Sequence, residues 1–181
     1  LPALRRHDRG ADLLLPVFES SDGRDGFVSL EVSPRLADDT GGTVEEGLRL
    51  VGLVGRRNLM VKVPGTAAGI PAVEQLISEG VNVNVTLLFA QKNYEQVAQA
   101  YIDGVDKLVA KGGNAGEIAS VASFFVSRID SLADDLIGER IAAAGKASER
   151  LALRQLLGKI AVANAKLAYA SYAEIYADVQ W

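Results

Sequence analysis

Lys62 is the residue whose chemistry stands out in this sequence, because it lies in an apolar stretch typical of a buried strand. The stretch runs Asn58-Leu-Met-Val-Lys-Val-Pro-Gly-Thr66. A parallel strand packed on both faces reads as a nearly continuous apolar run, and burial of an unpaired ammonium is costly. Burial favours the neutral amine, which can attack a carbonyl carbon and form a Schiff base. A strand end from which the lysine reaches solvent explains the same residue equally well.

Three further stretches, residues 27–32, 81–88 and 118–126, have the composition of strands and also carry polar side chains on one face. Side chains alternate across a strand, so each stretch divides into an aliphatic face and a face with polar groups. The polar faces carry Ser29, Glu31, Asn58, Lys62, Asn82, Asn84, Thr86 and Ser123. Buried polar groups need partners, and a single lined pocket explains five of them together: Glu31, Lys62, Asn84, Thr86 and Ser123.

The segments between and around these strands have helical spacing. The predicted helices cover residues 1–20, 40–54, 66–79, 91–111, 127–137 and 148–179. Strands that alternate with helices predict an α/β protein with a parallel sheet. In a (β/α)8 barrel the carboxyl ends of the strands form the active site. A doubly wound sheet also binds ligands there, but the glycine fingerprint of its dinucleotide-binding forms is absent from this sequence.

Composition limits the classes of function. The 181 residues are 49% hydrophobic and 23% charged with a net charge of -4, which is typical of a globular chain. No apolar run approaches the roughly 18 to 20 residues of a membrane span, so we expect a cytoplasmic protein without membrane contact. The absence of an extended basic cluster argues against a nucleic-acid partner. With no cysteine, and with the single His7 among charged residues, proton transfer falls to carboxylates, a lysine or water.

Four motifs give the chain a specific resemblance. They are Ser29-Leu-Glu-Val-Ser-Pro-Arg-Leu36, the Lys62 stretch, Gly80-Val-Asn-Val-Asn-Val-Thr-Leu-Leu-Phe89 and Ser120-Val-Ala-Ser-Phe-Phe-Val-Ser-Arg-Ile-Asp130. In their order and approximate spacing the chain resembles the transaldolase family, from about residue 20 to residue 137. The sequences of these motifs are most similar to those of the longer bacterial members, some of which are fused to a phosphoglucose isomerase domain.

The resemblance implies a class I aldol mechanism without metal or organic cofactor. Lys62 takes the place of the Schiff-base lysine, which attacks the C2 ketone of fructose 6-phosphate or sedoheptulose 7-phosphate. Cleavage leaves a dihydroxyacetone unit on the enzyme for transfer to an aldose phosphate acceptor, a step of the pentose phosphate pathway. Glu31 matches the carboxylate that exchanges protons through a water, and Thr86 matches the threonine that holds this water.

The resemblance also implies a set of substrate-binding residues. Asn84 matches an amide that binds the hydroxyls of the sugar, and Ser123 matches a hydroxyl near the bound three-carbon unit. Arg128 matches an arginine of the phosphate site, where a guanidinium offers a bidentate grip. Phe125 also falls in the substrate site, and a phenylalanine rather than a tyrosine there favours group transfer over simple aldol cleavage.

The chain departs from the family pattern in its number of strands. The family barrel has eight, and this sequence supplies four that correspond to the third through sixth. The sequence therefore predicts residues 1–181 as a single incomplete (β/α)8-barrel domain, truncated at both ends relative to the family. Two other functions stay open: an inactive half-barrel that pairs with another chain or a second copy through its open sheet edges, and a related class I aldolase such as fructose-6-phosphate aldolase.

Overall fold

A parallel sheet forms the centre of the structure. The computed structural model describes the backbone of residues 2–180 and the side chains of residues 9–180, so the side chain of His7 lies outside the described part. The strands of the sheet are β1 (Val28–Glu31), β2 (Leu59–Pro64), β3 (Val83–Leu88) and β4 (Ser120–Phe124), and they lie in the order β1-β2-β3-β4. β1 pairs with β2 in parallel, and β2 pairs with β3 in parallel. The predicted α/β class is confirmed.

Helices alternate with the strands along the chain. They are α1 (Pro2–Ser20), α2 (Thr40–Val54), α3 (Gly69–Ser78), α4 (Gln91–Ala110), α5 (Ser127–Ala143), α6 (Ala147–Arg154) and α7 (Ile160–Ile175). The bounds of α2 are those predicted from sequence. Asp39 begins this helix by accepting a hydrogen bond from the amide of Gly42 at 2.9 Å, and Gly55 ends it in the left-handed conformation with φ of 59°. None of these helices, within the described residues, combines the length and apolarity needed to cross a membrane.

The described residues divide into two compact units. The first comprises residues 2–88 and 96–123, and the second comprises residues 89–95 and 124–180. Aliphatic side chains less than 2% exposed form the core of the first unit: Val61, Val63, Val73, Leu76, Ile77, Val83, Val85, Leu88 and Val105. The alternate residues Val61, Val63, Val83 and Val85 come from the aliphatic strand faces that the sequence predicts.

The single long helix predicted over residues 148–179 is wrong. α6 ends at Arg154, and α7 begins at Ile160. Gly158 in the intervening turn has φ of 68°, a conformation that glycine adopts without steric cost. The amide of Gly158 donates to the Asp134 carboxylate of α5 at 3.0 Å, so the turn has its own partner within the second unit. α5 also runs to Ala143, six residues beyond the predicted end at 137.

β4 differs from the other strands in its burial. Its predicted aliphatic face is not buried, since Ala122 is exposed and Phe124 is half-buried, and on the other face Val121 is 43% exposed. Side chains add to its hydrogen bonding with β3, since the Ser120 hydroxyl donates to the carbonyl of Val83 at 2.9 Å. Where the two strands begin, the Asn82 amide oxygen accepts from the amide of Ala119 at 2.9 Å, and the amide of Val83 donates to the carbonyl of Ala119 at 3.3 Å. β4 is one of the two edge strands of this sheet, so one of its sides carries no neighbouring strand within the described residues.

Candidate functional site

Three predicted site residues lie in one row across the sheet. Glu31 of β1 is in register with Lys62 of β2, and Lys62 is in register with Asn84 of β3. In-register residues of parallel strands point to the same face, so the three side chains are neighbours. The predicted shared polar face is confirmed for these positions. Because Glu31 and Asn84 belong to the two strands that flank β2, Lys62 occupies the middle of the row.

The Lys62 ammonium forms an ion pair with the Glu31 carboxylate. The lysine side chain is 29% exposed and that of the glutamate is 62% exposed. Lys62 is therefore half-buried and paired, rather than a buried unpaired amine. Because the register sets the two residues side by side, a proton acceptor contacts the amine directly. No group of three or more potential metal-ligating residues occurs within the described part of the chain.

The Asn84 amide links two serine hydroxyls on the same face. Its Nδ2 donates to Ser29 Oγ at 3.1 Å, and its Oδ1 accepts from Ser123 Oγ at 2.7 Å. The sequence predicts Ser123 as a site residue and places Ser29 on the polar face without a role. Ser29 could have been recognised from the sequence, since it lies two residues before Glu31 and therefore on the same face of the strand. The structure thus connects β1, β3 and β4 through one amide.

Thr86 lies on the same face as Asn84, two residues further along β3. It is in register with Pro64, and its main-chain carbonyl accepts from the amide of Gly65 at 2.8 Å. The next residue, Leu87, has φ of 61° and is 43% exposed, whereas Leu88 is fully buried. A left-handed conformation is uncommon for leucine and here interrupts the alternation of the strand. Thr86 is consequently the last site residue on the regular part of β3.

Phe125 and Arg128 belong to the second unit, where they contact each other. The Arg128 guanidinium lies 4.9 Å from the centroid of the Phe125 ring, which stacks on Phe89 at 5.1 Å. Arg128 is exposed in the first turn of α5, and no side chain caps the N-terminus of this helix. Uncapped amides and a guanidinium at a helix N-terminus form an arrangement that favours an anion.

Cavity shape by itself does not identify the row of Lys62. In the first unit a cavity of about 660 Å³ is lined by residues that precede the strands, among them Phe27, Arg57, Asn82 and Ala119. It therefore lies at the amino ends of the strands, and none of the predicted site residues lines it. In the second unit a cavity of about 410 Å³ has Phe89 and Arg128 in its lining, with aliphatic residues of α5. The register and the hydrogen bonds, rather than a cavity, define the site.

Parallel strands that alternate with helices, and that carry a lysine and carboxylate pair on one face, define the class of this chain. It is an α/β protein whose sheet is consistent with part of a (β/α)8 barrel. Comparison with known families matches residues 5–180 to the family model described as transaldolase/fructose-6-phosphate aldolase. The chain belongs to this family.

Curated relatives support the same assignment. The chain is 48% identical over 170 residues to the transaldolase of Trichodesmium erythraeum, an alignment that covers 94% of this chain and 45% of that protein. It is 48% identical over 171 residues to transaldolase 2 of a Nostoc species, with coverage of 94% and 45%. For transaldolase 1 of Streptomyces avermitilis the identity is 47% over 171 residues, with coverage of 94% and 43%. The chain thus spans a little under half the length of these relatives.

Proposed function

We propose that this chain carries the Schiff-base lysine of a transaldolase. The observation that supports the proposal is the row of Glu31, Lys62 and Asn84 on one face of a parallel sheet, in a member of this family. The substrates proposed are a ketose phosphate donor, fructose 6-phosphate or sedoheptulose 7-phosphate, and an aldose phosphate acceptor. The reaction transfers a dihydroxyacetone unit between them, in the pentose phosphate pathway of the cytoplasm.

The proposed reaction begins at the Lys62 amine. Lys62 attacks the C2 carbonyl of the ketose, water leaves, and the resulting iminium withdraws electrons from the bond between C3 and C4. A base removes the proton of the C4 hydroxyl, the bond breaks, and an aldose phosphate departs while the electron pair forms an enamine with Lys62. The enamine then attacks the aldehyde carbon of the acceptor, and hydrolysis of the new iminium restores the amine.

Glu31 is the proposed proton acceptor and donor. Its contact with Lys62 supports this role, because the ammonium must lose a proton before the amine can attack. Proton exchange with the substrate then proceeds from Glu31 through a water, which Thr86 is proposed to hold. The 62% exposure of the Glu31 side chain is compatible with such a water-mediated path.

Recognition of the sugar phosphate is proposed to be divided between polar and cationic groups. Asn84 and Ser123 offer an amide and a hydroxyl to the hydroxyls of the ketose, and their mutual hydrogen bond supports a fixed orientation. Arg128 is the proposed phosphate ligand, with Phe125 beneath its guanidinium. Lys62, Glu31 and Thr86 complete the set of residues, and the proposal includes no metal, nucleic acid or membrane partner.

A transfer assay tests the function. The protein expressed from the full reading frame that contains this sequence is given fructose 6-phosphate, with and without an aldose phosphate acceptor. We expect sustained release of the three-carbon aldose phosphate only when the acceptor is present, since the dihydroxyacetone unit otherwise stays on Lys62. Equal turnover without acceptor, with release of free dihydroxyacetone, would identify an aldolase instead. No turnover and no covalent adduct under either condition would contradict the proposal.

Two substitutions separate chemistry from binding in the same assay. Glu31→Gln keeps shape and hydrogen bonding but cannot exchange protons, so we expect kcat to fall about a hundredfold to ten-thousandfold with little change in KM. Arg128→Ala removes the phosphate ligand, so we expect mainly a rise in KM for phosphorylated donors. A loss of kcat below about threefold for Glu31→Gln would make Glu31 a structural carboxylate.

A second candidate function rests on the edges of the sheet. β1 and β4 each pair with one neighbouring strand within the described residues, and unpaired strand edges favour association. An inactive chain that assembles through these edges, with a second copy or another protein, is therefore the alternative. Sedimentation of the 181-residue chain, together with a search for an adduct on Lys62, distinguishes the two functions. A chain that stays associated and forms no adduct on Lys62 supports assembly.

A further inference from the structure

Ser29 is the one member of the hydrogen-bonded group on the polar face for which neither the motifs nor the comparisons suggest a role. It lies on β1 in register with Met60 of β2, one pleat before the Glu31 and Lys62 pair. Its hydroxyl nevertheless reaches Asn84 of β3, whose Nδ2 donates to it at 3.1 Å. The hydrogen bond therefore crosses β2 diagonally, next to the ion pair. A hydroxyl in this position can act on the site through Asn84.

The orientation of the Asn84 amide depends on both of its serine partners. Rotation about the terminal torsion of an asparagine side chain has a broad energy profile, so packing alone fixes it poorly. With Ser123 donating to Oδ1 at 2.7 Å and Ser29 accepting from Nδ2, the two ends of the amide are distinguished. One Nδ2 hydrogen then has no partner among these hydroxyls. It stays available on the face that Lys62 shares.

Removal of the Ser29 hydroxyl and removal of the Ser123 hydroxyl affect opposite ends of the Asn84 amide. Without the Ser123 hydroxyl, Oδ1 loses a donor, but Nδ2 is still held by Ser29. Without the Ser29 hydroxyl, the half-buried Nδ2 loses its acceptor, and only the Ser123 bond to Oδ1 still holds the amide. The N–H groups of an amide held at the oxygen end alone are then less precisely placed for a hydroxyl of a bound ketose beside Lys62.

We propose that Ser29 is a positioning residue, which holds the Asn84 amide so that its remaining N–H binds a hydroxyl of the ketose attached to Lys62. This inference rests on the proposed function, since it needs a polyhydroxylated substrate at Lys62. It assigns to Ser29 no contact with the reacting atoms. Its effect is exerted through Asn84 alone, and this property makes it testable.

The test compares kcat and KM for Ser29→Ala, Asn84→Ala and the double variant, in the protein from the full reading frame. We expect Ser29→Ala to lower kcat/KM about tenfold, the effect typical of one lost hydrogen bond. In the Asn84→Ala background the same change should have less than about a twofold effect, because the group that Ser29 positions is absent. Ser29→Thr keeps the hydroxyl and should recover kcat/KM to within about threefold of the unmodified protein.

A matched serine controls for loss of stability. Ser78 of α3 is 5% exposed, and its hydroxyl donates to the carbonyl of Gln75 at 2.8 Å. Ser78→Ala should lower the melting temperature without changing kcat/KM by more than about twofold. Full activity in Ser29→Ala, or equal losses in the two backgrounds of the double-variant cycle, would overturn the role of Ser29 while leaving the transaldolase function standing. Absence of turnover in the unmodified protein would overturn both.

Discussion

The two units of this chain are stabilised by different interactions. In the first unit, aliphatic side chains of β2, α3 and β3 are fully buried, as Val61, Leu76 and Val83 show. In the second unit, the large buried side chains Tyr94 and Ile137 remain 7% and 8% exposed, and the other buried residues are Ala161, Ala168 and Ser171. Hydrophobic stabilisation is roughly proportional to the apolar area removed from water, so the first unit gains far more of it.

Side-chain hydrogen bonds join several elements of the second unit. Gln91 Nε2 donates to Ser171 Oγ at 2.9 Å, and this hydroxyl donates to Glu95 at 2.8 Å. Asn164 donates to the carbonyl of Phe89 at 2.7 Å. Several large apolar side chains of α5, α6 and α7 remain exposed: Leu132, Leu136, Leu151, Leu167, Tyr169 and Tyr172. The difference shows that the unit that carries Lys62 has the more deeply buried apolar core.

Truncation of a core side chain should give the largest difference between the units. Leu76 of α3 is fully buried, and Leu76→Ala should lower the free energy of unfolding by about 2 to 5 kcal/mol. Leu151 of α6 is 62% exposed, and Leu151→Ala should change it by less than about 0.5 kcal/mol. Denaturant titration of both variants checks this. A similar loss for Leu151→Ala would mean that the Leu151 side chain is packed against the second unit rather than exposed.

The hydrogen bonds of Ser171 in the second unit should contribute less to the free energy of unfolding than a core leucine, but their loss should be measurable. Ser171→Ala removes the hydroxyl that joins Gln91 to Glu95, which leaves a partly buried amide and carboxylate with one partner fewer. We expect the free energy of unfolding to fall by about 1 to 3 kcal/mol. Hydrogen exchange followed by mass spectrometry should show faster exchange in peptides of α7, with β2 and β3 unchanged. Faster exchange in the strands as well would show that the units unfold together.

Two glycines of the second unit should respond in opposite directions. Gly158 has φ of 68°, and Gly158→Ala should cost about 1 kcal/mol because alanine is strained there. Gly138 lies inside α5 with open space around its Cα, and Gly138→Ala should stabilise by about 0.5 to 1 kcal/mol. Melting curves of the two variants provide the comparison. The same sign for both would show that the turn between α6 and α7 does not require the left-handed conformation of Gly158.

The smallest expected effect concerns the ion pair that joins α1 to the chain before β2. Arg56 hydrogen-bonds Asp12 and lowers the pKa of this carboxyl below its usual value. Its stabilising contribution is therefore present above the unfolded pKa of about 4 and is lost as pH falls through the lower folded value. An acid titration of hydrogen exchange in α1 should show this loss in the unmodified chain and not in Asp12→Asn. An identical acid response in Asp12→Asn would rule out the pair as its cause.

The sequence predicted best what depends on local pattern. Strand alternation predicted that Glu31, Lys62 and Asn84 share a face, and α2 has its predicted bounds because Asp39 and Gly55 are strong local signals. The turn at Gly158 was missed because the apolar spacing continues across it. The ion pair of Lys62 and the diagonal bond of Ser29 depend on strand register, which a single strand's pattern does not encode. Phe125 and Arg128 lie together in the second unit, and the place of Phe125 in the substrate site and the role of Arg128 in phosphate binding stay predictions.

Lys62, and no other lysine, is proposed to form the covalent imine. The other lysines lie on helices or in turns: Lys92, Lys107, Lys111, Lys146, Lys159 and Lys166. Lys107 is a useful control because it is also paired with a carboxylate, that of Glu74, which raises its pKa. It lies on α4, away from the polar face of the strands.

Borohydride trapping with fructose 6-phosphate, followed by peptide mass mapping, measures this directly. The protein from the full reading frame is reduced in the presence of the sugar, alongside its Lys62→Arg and Lys107→Arg variants. We predict one reduced sugar-derived adduct on the peptide that contains Lys62, in the unmodified protein and in Lys107→Arg. Lys62→Arg keeps the cation but not the amine, so it should form no adduct and lose at least about a thousandfold of turnover. An adduct on another lysine, or full activity in Lys62→Arg, would rule out Lys62 as the Schiff-base lysine.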